Sequence, residues 1–211
     1  MLDNVFVFKQ SSIKIVKDKI IYFDPYKMDK EFHDADIIFI THDHYDHFDI
    51  NSIKKVMSDK TYIVIPETLS NSVSEIFDSE KIKVVLPLND YVVDDISFST
   101  IPSYNINKQF HPKSNNWLGY LVNIDNKTYY IMGDTDDIPE ARNVSCDVLF
   151  IPIGGTYTMD YKEAVNFTNY IKPKIAVPIH YAEVVGTFDD AMSFINNLDK
   201  NIKGAILIPK K

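Results

Sequence analysis

The sequence has one cysteine, no long apolar run and no excess of positive charge, and each absence excludes a class of protein. Because Cys146 is alone, no disulfide can form within the chain, and its apolar surroundings predict a buried thiol rather than a catalytic one. No stretch approaches the roughly 20 apolar residues of a membrane-spanning helix. The N-terminus lacks the basic start and apolar centre of a secretion signal, so we predict a cytoplasmic protein with no membrane partner.

The charge balance argues against a polyanionic partner. The chain of 211 residues carries 30 acidic and 22 basic side chains, a formal net charge of -8. This charge disfavours binding to nucleic acid, and we expect a small-molecule substrate. Homo-oligomer formation is left open. The length suits one domain with a sizeable core, and the absence of repeats or linkers predicts a single domain over residues 1–211.

Local patterns predict a β-rich chain with interspersed helices. The first three β-branched or aromatic runs, at 5–8, 13–16 and 19–23, are typical of an antiparallel meander. Further strands are predicted at 61–65, 81–86, 91–93, 96–101, 117–124, 128–132, 147–152, 174–179 and 205–209. Helices are predicted at 49–57, 67–77, 160–171 and 188–198, with Asp49 and Asp160 as N-terminal caps.

The densest group of potential metal ligands follows the apolar run 37–40. Three of the six histidines in the chain fall within residues 42–47. A solvated loop gains nothing from bunching imidazoles that are partly charged near neutral pH, so metal binding is the natural interpretation. On an extended backbone His42 and His44 point to the same side. Asp46 and His47 diverge in the following turn and can reach a second ion.

The spacing His42-x-His44-x-Asp46-His47 resembles the HxHxDH signature of the metallo-β-lactamase fold superfamily. This resemblance implies an α/β fold, a four-layer αββα sandwich of two mixed β-sheets, and the activity of a metal-dependent hydrolase. Diiron oxygen-reducing relatives carry Glu at the position of His44, so the resemblance favours the hydrolytic branch over the redox branch.

Later strand ends match further motifs of the same superfamily. Asp134, in the string Gly-Asp-Thr, matches the fourth motif and is expected to bridge two cations. Thr135 and Asp136 are expected to support that loop. His180 ends a predicted strand and matches the last histidine of the superfamily. Asp24 is either a carboxylate that orients a ligand imidazole or a plain turn residue.

The chain departs from the superfamily at the third motif, a histidine at the end of a strand where this sequence has residues 103–105. The nearest histidine, His111, lies in a long polar and aromatic loop that resembles one in a small bacterial and archaeal subgroup. We predict that His111 completes the first metal position or lies beside it as a proton donor. The alternatives are a histidine packed on Trp117 or Phe110, and a ligand from residues 103–105.

The resemblance carried by these residues implies a binuclear centre with two divalent ions, and the ligand set favours zinc over manganese, iron or nickel. The predicted ligands are His42, His44, His111, Asp46, His47, His180 and the bridging Asp134. The first three would hold one ion and the next three the other. Asp46 and His111 are also candidate catalytic residues. Tyr157, Tyr104 and Lys113 are candidates for assisting the leaving group.

The resemblance implies a metal-bridging hydroxide that cleaves an ester, phosphodiester or similar bond in a small anionic metabolite. Fold alone does not fix the substrate. Action on RNA or DNA is disfavoured by the acidic charge and by the lack of a basic arm. The alternative from another class is a metal-binding sensor or scaffold that keeps the ligands without turnover. The glycine pair at residues 154–155 either lines a substrate mouth or forms a turn before a helix.

Overall fold

Two β-sheets pack face to face in the computed structural model, which describes residues 1–207. The first sheet contains six strands in chain order. They are β1 (Val5–Val7), β2 (Ile13–Val16), β3 (Ile20–Phe23), β4 (Ile37–Phe39), β5 (Tyr62–Pro66) and β6 (Ile82–Val85). The second sheet also has sequence neighbours side by side. Its seven strands are β7 (Asp90–Val93), β8 (Ile96–Pro102), β9 (Leu118–Ile124), β10 (Lys127–Ile131), β11 (Val148–Pro152), β12 (Ile175–Ile179) and β13 (Lys203–Gly204).

Helices cover the outer surfaces of both sheets. Their bounds are α1 (Ile50–Val56), α2 (Ser70–Val73), α3 (Tyr161–Ile171) and α4 (Phe188–Asn196). The predicted caps are confirmed, since Asp49 accepts from the backbone of α1 and Asp160 forms a capping box with Glu163 in α3. No helix among residues 1–207 is long and apolar enough to cross a lipid bilayer.

Alternation along the strands produces the four layers. In β3, Ile21 and Phe23 point into the core between the sheets, whereas Tyr22 packs under α1 with Ile53. The second sheet alternates in the same way. Its inward side chains, such as Phe150, meet those of the first sheet, and its outward side chains pack against α3 and α4. The αββα sandwich predicted from the motif is therefore confirmed.

The carboxyl ends of the strands that matter for the site meet at one edge. Strands β3, β4 and β5 run parallel to one another, as do β10, β11 and β12. β2 is antiparallel to both β1 and β3, and β9 is antiparallel to both β8 and β10. β1 therefore runs in the direction of β3, and β8 in that of β10, so β1 and β8 also end at this edge. The backbone N–H of Leu118 donates to the oxygen of Thr41 over 3.1 Å and ties the two sheets together there. Loops that are far apart in sequence thus converge.

A ring cluster stabilises the strand that leads to the histidine-rich loop. Phe39 stacks on Phe23 and meets Phe98 and Tyr120 edge-on, each with ring centroids 5.0 Å apart. The Tyr120 hydroxyl donates to the backbone oxygen of Ile40 over 2.7 Å. Because these contacts cross between the sheets, they hold residues 41–47 in a fixed position relative to the second sheet.

Two predicted elements are wrong in extent. The helix expected at 67–77 is reduced to a 3-10 turn, Glu67–Leu69, and the four-residue α2. Its serines bond locally, with Ser70 Oγ donating to Glu67 O and Ser74 Oγ to Asn71 O, which competes with regular helix. The final strand is Lys203–Gly204, before the expected 205–209, because β12 pairs at those two positions. Positions 208 and 209 lie outside the described residues.

Cys146 is half-buried rather than fully buried. Burial raises the pKa of its thiol to about 12, with a smaller contribution from the neighbouring Asp147 carboxylate. A thiol with such a pKa stays protonated near neutral pH and is a poor nucleophile. The expectation of a thiol without a catalytic role is consistent with this environment.

Candidate metal centre

Three overlapping groups of ligand side chains lie at the edge where the strand ends meet. In each group the candidate ligand atoms lie within 4.8 Å of one another. The groups are His42, His44 and His111; His42, His47 and Asp134; and Asp46, His47 and His180. Every residue that the sequence predicted as a ligand belongs to at least one of them, and His42 and His47 each belong to two. The loops that follow β4, β8, β10 and β12 supply these side chains.

Asp134 lies between the first and the last of these groups. Its Oδ2 atom is 2.9 Å from Nε2 of His180 and 3.4 Å from Nε2 of His111. Its Oδ1 atom is 3.3 Å from Nε2 of His47. A single carboxylate therefore reaches side chains of both groups, which is the arrangement that a bridging ligand requires.

The polar atoms of the site fit a divalent cation. The Nε2 atoms of His42, His47 and His111 and the Oδ1 atom of Asp134 are buried without a hydrogen-bond partner in the described part of the chain. Leaving such a group unpaired costs about 1–3 kcal/mol, so native proteins rarely tolerate several together. Imidazole nitrogen and carboxylate oxygen are zinc ligands, and this donor set matches the unpaired atoms.

A buried carboxylate orients His47. Oδ2 of Asp24 lies 2.8 Å from Nδ1 of His47. Asp24 also accepts hydrogen bonds from the backbone N–H and the hydroxyl of Thr41, over 2.8 and 2.7 Å. Because a proton on Nδ1 is held by the carboxylate, Nε2 of His47 is left facing the site. Of the two interpretations of Asp24, the structure shows the contact that orients an imidazole.

Asn105 has the same relationship to His111. Its side-chain oxygen lies 3.0 Å from the backbone nitrogen and 3.1 Å from Nδ1 of His111. Its amide nitrogen donates to Asp136 and to the backbone oxygen of Tyr157. The Ser103 hydroxyl donates to the backbone oxygen of Asp134. Side chains of residues 103–105 thus have their polar atoms engaged elsewhere, whereas Nε2 of His111 faces Asp134.

The loop around His111 is anchored by groups outside the ligand set. Asp136 accepts hydrogen bonds from the backbone N–H of Ile106 and from Lys108 Nζ, over 2.9 and 2.6 Å. Thr135 donates to the backbone oxygen of Tyr104. These contacts agree with the loop-supporting roles expected for Thr135 and Asp136. The ring of His111 also lies 5.5 Å from that of Trp117, so packing on Trp117 accompanies its place in the site.

Two imidazoles of the site favour the neutral form. Burial lowers the pKa of His42 well below its usual value, and the charge of nearby His47 adds to the effect. Burial likewise lowers the pKa of His44, with a contribution from His111. Neutral imidazole is the form that binds a metal ion, so these residues need no proton removed first.

The imidazoles of His47 and His180, in the group with Asp46, favour the protonated form instead. Burial opposes protonation of His47, but the Asp134 and Asp24 carboxylates outweigh it and raise the pKa of His47 well above its usual value. Asp134 similarly overcomes burial and raises the pKa of His180 to about 9. Burial alone would raise the pKa of Asp46, yet the His180 hydrogen bond and the His47 charge lower it to about 2. This half of the site carries protons that a metal ion would replace.

The mouth of the site is aromatic. His44 is half-buried, and the adjacent Tyr45 is 65% exposed. The Phe110 and Tyr157 rings meet edge-on with centroids 4.6 Å apart. Trp117 lies 4.8 Å from the ring of His44. Apolar walls with a few converging polar groups are typical of a small-molecule site.

Tyr157 is the freest of the three candidates for assisting a leaving group. The Tyr104 hydroxyl donates to Glu140 over 2.8 Å, and Lys113 Nζ donates to the same carboxylate over 2.7 Å. These two side chains pair with each other and with Glu140 rather than with the ligand groups. Tyr157 has no hydrogen bond from its hydroxyl to another residue in the described part of the chain.

Gly154 packs directly against the end of β12. A Cβ atom at this position would come within 2.6 Å of the His180 backbone oxygen.

Sequence reasoning missed Gln10. Its Nε2 atom lies 2.9 Å from Oδ2 of Asp46 and 3.1 Å from Nε2 of His180. Gln10, Asp24 and His180 also share left-handed backbone, with φ values of 59°, 43° and 58°. Such backbone costs a residue other than glycine about 1–2 kcal/mol. Nothing local in the sequence marks Gln10, and only the sheet topology brings the end of β1 to the site.

A cluster of imidazoles and carboxylates at the carboxyl edge of an αββα sandwich defines the class of metal-dependent hydrolases with the metallo-β-lactamase fold. The chain belongs to the β-lactamase superfamily, because the model of the β-lactamase superfamily domain matches residues 4–180. It is 31% identical over 180 residues to a UPF0173 metal-dependent hydrolase of Pyrococcus abyssi, covering 82% of this chain and 79% of the relative.

Solved structures agree with this assignment. A protein of Parabacteroides distasonis assigned as a metal-dependent hydrolase superposes with a TM-score of 0.80 at 28% identity, covering 98% of this chain and 93% of that one. The metallo hydrolase Igni18 of Ignicoccus hospitalis shares the fold, with a TM-score of 0.76 at 20% identity over 98% of this chain and 95% of its own. The protein is thus a metal-dependent hydrolase of this superfamily.

Proposed function

We propose that this chain, as a single domain, is a binuclear hydrolase that cleaves an ester, phosphodiester or similar bond in a small anionic metabolite. The observation that carries the proposal is the position of Asp134. Its two carboxylate oxygens reach His111 in one ligand group and His47 and His180 in the other, over 2.9 to 3.4 Å. One carboxylate shared by two groups of imidazoles is how a protein holds two cations close together.

Each of the two groups would hold one ion, and zinc suits both groups best. His42, His44 and His111 would hold the first, and Asp46, His47 and His180 the second. When bound, the two cations would supply a water molecule with a pKa of about 7 and would neutralise negative charge on the substrate oxygen. No serine or cysteine nucleophile is then required.

The chain itself contributes orientation and proton transfer. Asp24 and Asn105 fix the rings of His47 and His111 through their Nδ1 atoms. The Tyr157 hydroxyl, at the mouth, would give a proton to the leaving group, and its ring is held against Phe110. The aromatic side chains at the mouth would exclude water from one side of the substrate, which would strengthen the electrostatic interactions inside.

The anionic substrate follows from the contrast between the site and the rest of the surface. The chain has a formal net charge of -8, which repels extended polyanions. Two cations held by the ligand groups would concentrate positive charge at this site. A small anion would meet mainly this local positive charge, whereas an extended polyanion would also meet the net negative charge of the chain.

The test combines metal content with turnover. The metal-free protein would be titrated with Zn²⁺ and assayed against panels of phosphodiesters, lactones and thioesters. We expect two ions per chain, hydrolysis in at least one panel, and loss of both the second ion and activity in Asp134→Asn. Asp125→Asn, in the exposed turn between β9 and β10, is the matched control and should change neither. One ion at saturation would contradict the binuclear centre, and two ions without any turnover would favour a metal-binding sensor.

A further inference from the structure

The turn between β1 and β2 places one polar side chain inside the candidate metal centre. Gln10 is only 4% exposed, and its backbone is left-handed with φ of 59°. Its backbone oxygen accepts a hydrogen bond from the backbone N–H of His180 over 3.0 Å. Because β1 ends at the same edge as β12, this bond fixes the turn directly against the end of β12.

The amide end of Gln10 lies among atoms of the second ligand group. Its Nε2 is 2.9 Å from Oδ2 of Asp46 and 3.1 Å from Nε2 of His180. Those two ligand atoms are 3.5 Å apart, so the three polar atoms form a small triangle. A cation that binds Asp46 and His180 through these atoms therefore meets the amide of Gln10 as well.

The other end of the same amide is unpaired. Oε1 of Gln10 is buried and has no hydrogen-bond partner in the described part of the chain. A buried carbonyl oxygen without a partner calls for an explanation, because most such atoms are paired. The amide oxygen and nitrogen are similar in size and exchange places by a half turn of the terminal group.

The charge of the neighbours decides which end of the amide faces the ligand atoms. Without a metal ion, the N–H of Gln10 is the natural partner of the Asp46 carboxylate. A cation takes over that carboxylate and repels the N–H dipole, so the amide oxygen is then the favoured end. Side-chain amide oxygens are established ligands of divalent cations.

We propose that Gln10 is a ligand of the second ion through Oε1, together with Asp46, His47 and His180. This inference rests on the proposed binuclear function. It adds a neutral oxygen ligand from the turn between β1 and β2, whereas the predicted ligands come from the loops after β4, β8, β10 and β12. The coordination number of the second ion would consequently exceed that set by the predicted ligands alone.

Cobalt substitution tests the inference without relying on activity. The metal-free protein, Gln10→Leu and Gln10→Glu would be titrated with Co²⁺ while the visible spectrum is recorded. We expect two ions in the parent protein. Gln10→Leu should bind one ion about 10–100-fold more weakly, a loss typical of a removed metal-site partner. It should also give stronger visible absorption, because tetrahedral Co²⁺ absorbs more than Co²⁺ with additional ligands.

Two variants serve as references. Gln10→Glu keeps an oxygen ligand, so it should retain the parent spectrum and bind the second ion at least as tightly. Ser11→Ala removes a neighbouring hydroxyl that is also buried and has no hydrogen-bond partner within residues 1–207, and it should leave both binding steps unchanged. If Gln10→Leu fails to fold, Gln10→Met offers a side chain of closer shape that lacks the amide, with the same expected result.

The possible outcomes separate the two proposals. A parent protein that binds only one Co²⁺ ion would contradict the binuclear function itself. Two ions in the parent with unchanged affinity and spectrum in Gln10→Leu would overturn only the role of Gln10. Weaker binding with an unchanged spectrum would also overturn it, because Gln10 would then act solely as a hydrogen-bond donor to Asp46.

Discussion

The side-chain oxygen of Asn105 accepts hydrogen bonds from two atoms of His111, the backbone nitrogen at 3.0 Å and Nδ1 at 3.1 Å. An amide oxygen only accepts, so this contact places the ring proton of His111 on Nδ1. The lone pair on Nε2 then faces Asp134, whose Oδ2 is 3.4 Å away. At the position where the sequence departs from the superfamily motif, Asn105 therefore orients the ring and His111 presents Nε2 to the site.

Removal of this orienting contact should weaken the binding of the first ion. In Asn105→Ala, the ring of His111 is free to turn and to change tautomer, and we expect about 10–100-fold weaker binding of one ion. Competition with a chromophoric chelator would measure the loss. Asn123→Ala, on the exposed face of the β9–β10 hairpin, is the control and should bind like the parent. Equal affinities in both variants would remove Asn105 from the site.

Asp24 should affect both stability and the second ion. Its buried carboxylate accepts three hydrogen bonds, two from Thr41 and one from His47. Asp24→Asn keeps a residue that tolerates the left-handed backbone, so its effect reports the lost acceptor. We expect destabilisation of the metal-free protein by about 1–3 kcal/mol, measured by urea unfolding with a chelator present. The second ion should also bind more weakly, and parent-like values for both would count against the orienting role.

Gly133 should resist substitution for two separable reasons. Its φ is 67°, and a Cβ atom would lie 2.9 Å from the Leu118 backbone oxygen and 3.1 Å from Ser103 Oγ. Gly155 also has positive φ, but there the nearest atom would be 3.6 Å away. Gly155→Ala should cost about 1 kcal/mol from backbone strain alone. Gly133→Ala should cost clearly more in the same urea unfolding experiment, and equal losses would show that crowding at Gly133 is relieved.

The metal-free protein should lose stability in alkali. The pKa of His180 is raised from 6.5 to about 9 in the folded chain, so its contribution is complete below pH 6.5 and disappears as the pH rises through about 9. The pKa of Asp46 is lowered from 3.8 to about 2, so its contribution is complete above pH 3.8 and disappears as the pH falls through about 2. Urea unfolding with a chelator should therefore give a lower unfolding free energy at pH 9.5 than at pH 6.

Two comparisons make this pH dependence specific. His180→Gln should flatten the alkaline decline, whereas His33→Gln, at an exposed position outside the site, should keep it. With saturating Zn²⁺ the sign should reverse across the same range, because ligand imidazoles must lose their protons before the metal ion binds. An unchanged decline in His180→Gln would assign the effect to other groups.

Short-range patterns were sufficient for much of this protein. Strand alternation, helix caps at Asp49 and Asp160, and the hairpin turn at Asp125 and Asn126 are encoded by neighbouring residues. Both turn residues indeed have positive φ, 52° and 55°, as a tight hairpin turn requires. The motif at residues 42–47 identified the superfamily, and the structure brings all of the predicted ligands to one edge. The helix at 67–77 was overestimated because local serine hydrogen bonds were not visible in its apolar spacing.

The sequence by itself determined which residue types could hold a metal ion, because imidazoles and carboxylates at strand ends are a local signal. Only the tertiary structure decided how they are supported. Gln10 and His180 are 170 positions apart in sequence, and Asp24 and His47 are 23 apart. Such pairs meet because parallel strands end at one edge and two sheets pack face to face, and no local pattern records that meeting. The identity of the supporting residues is therefore a property of sheet order and packing.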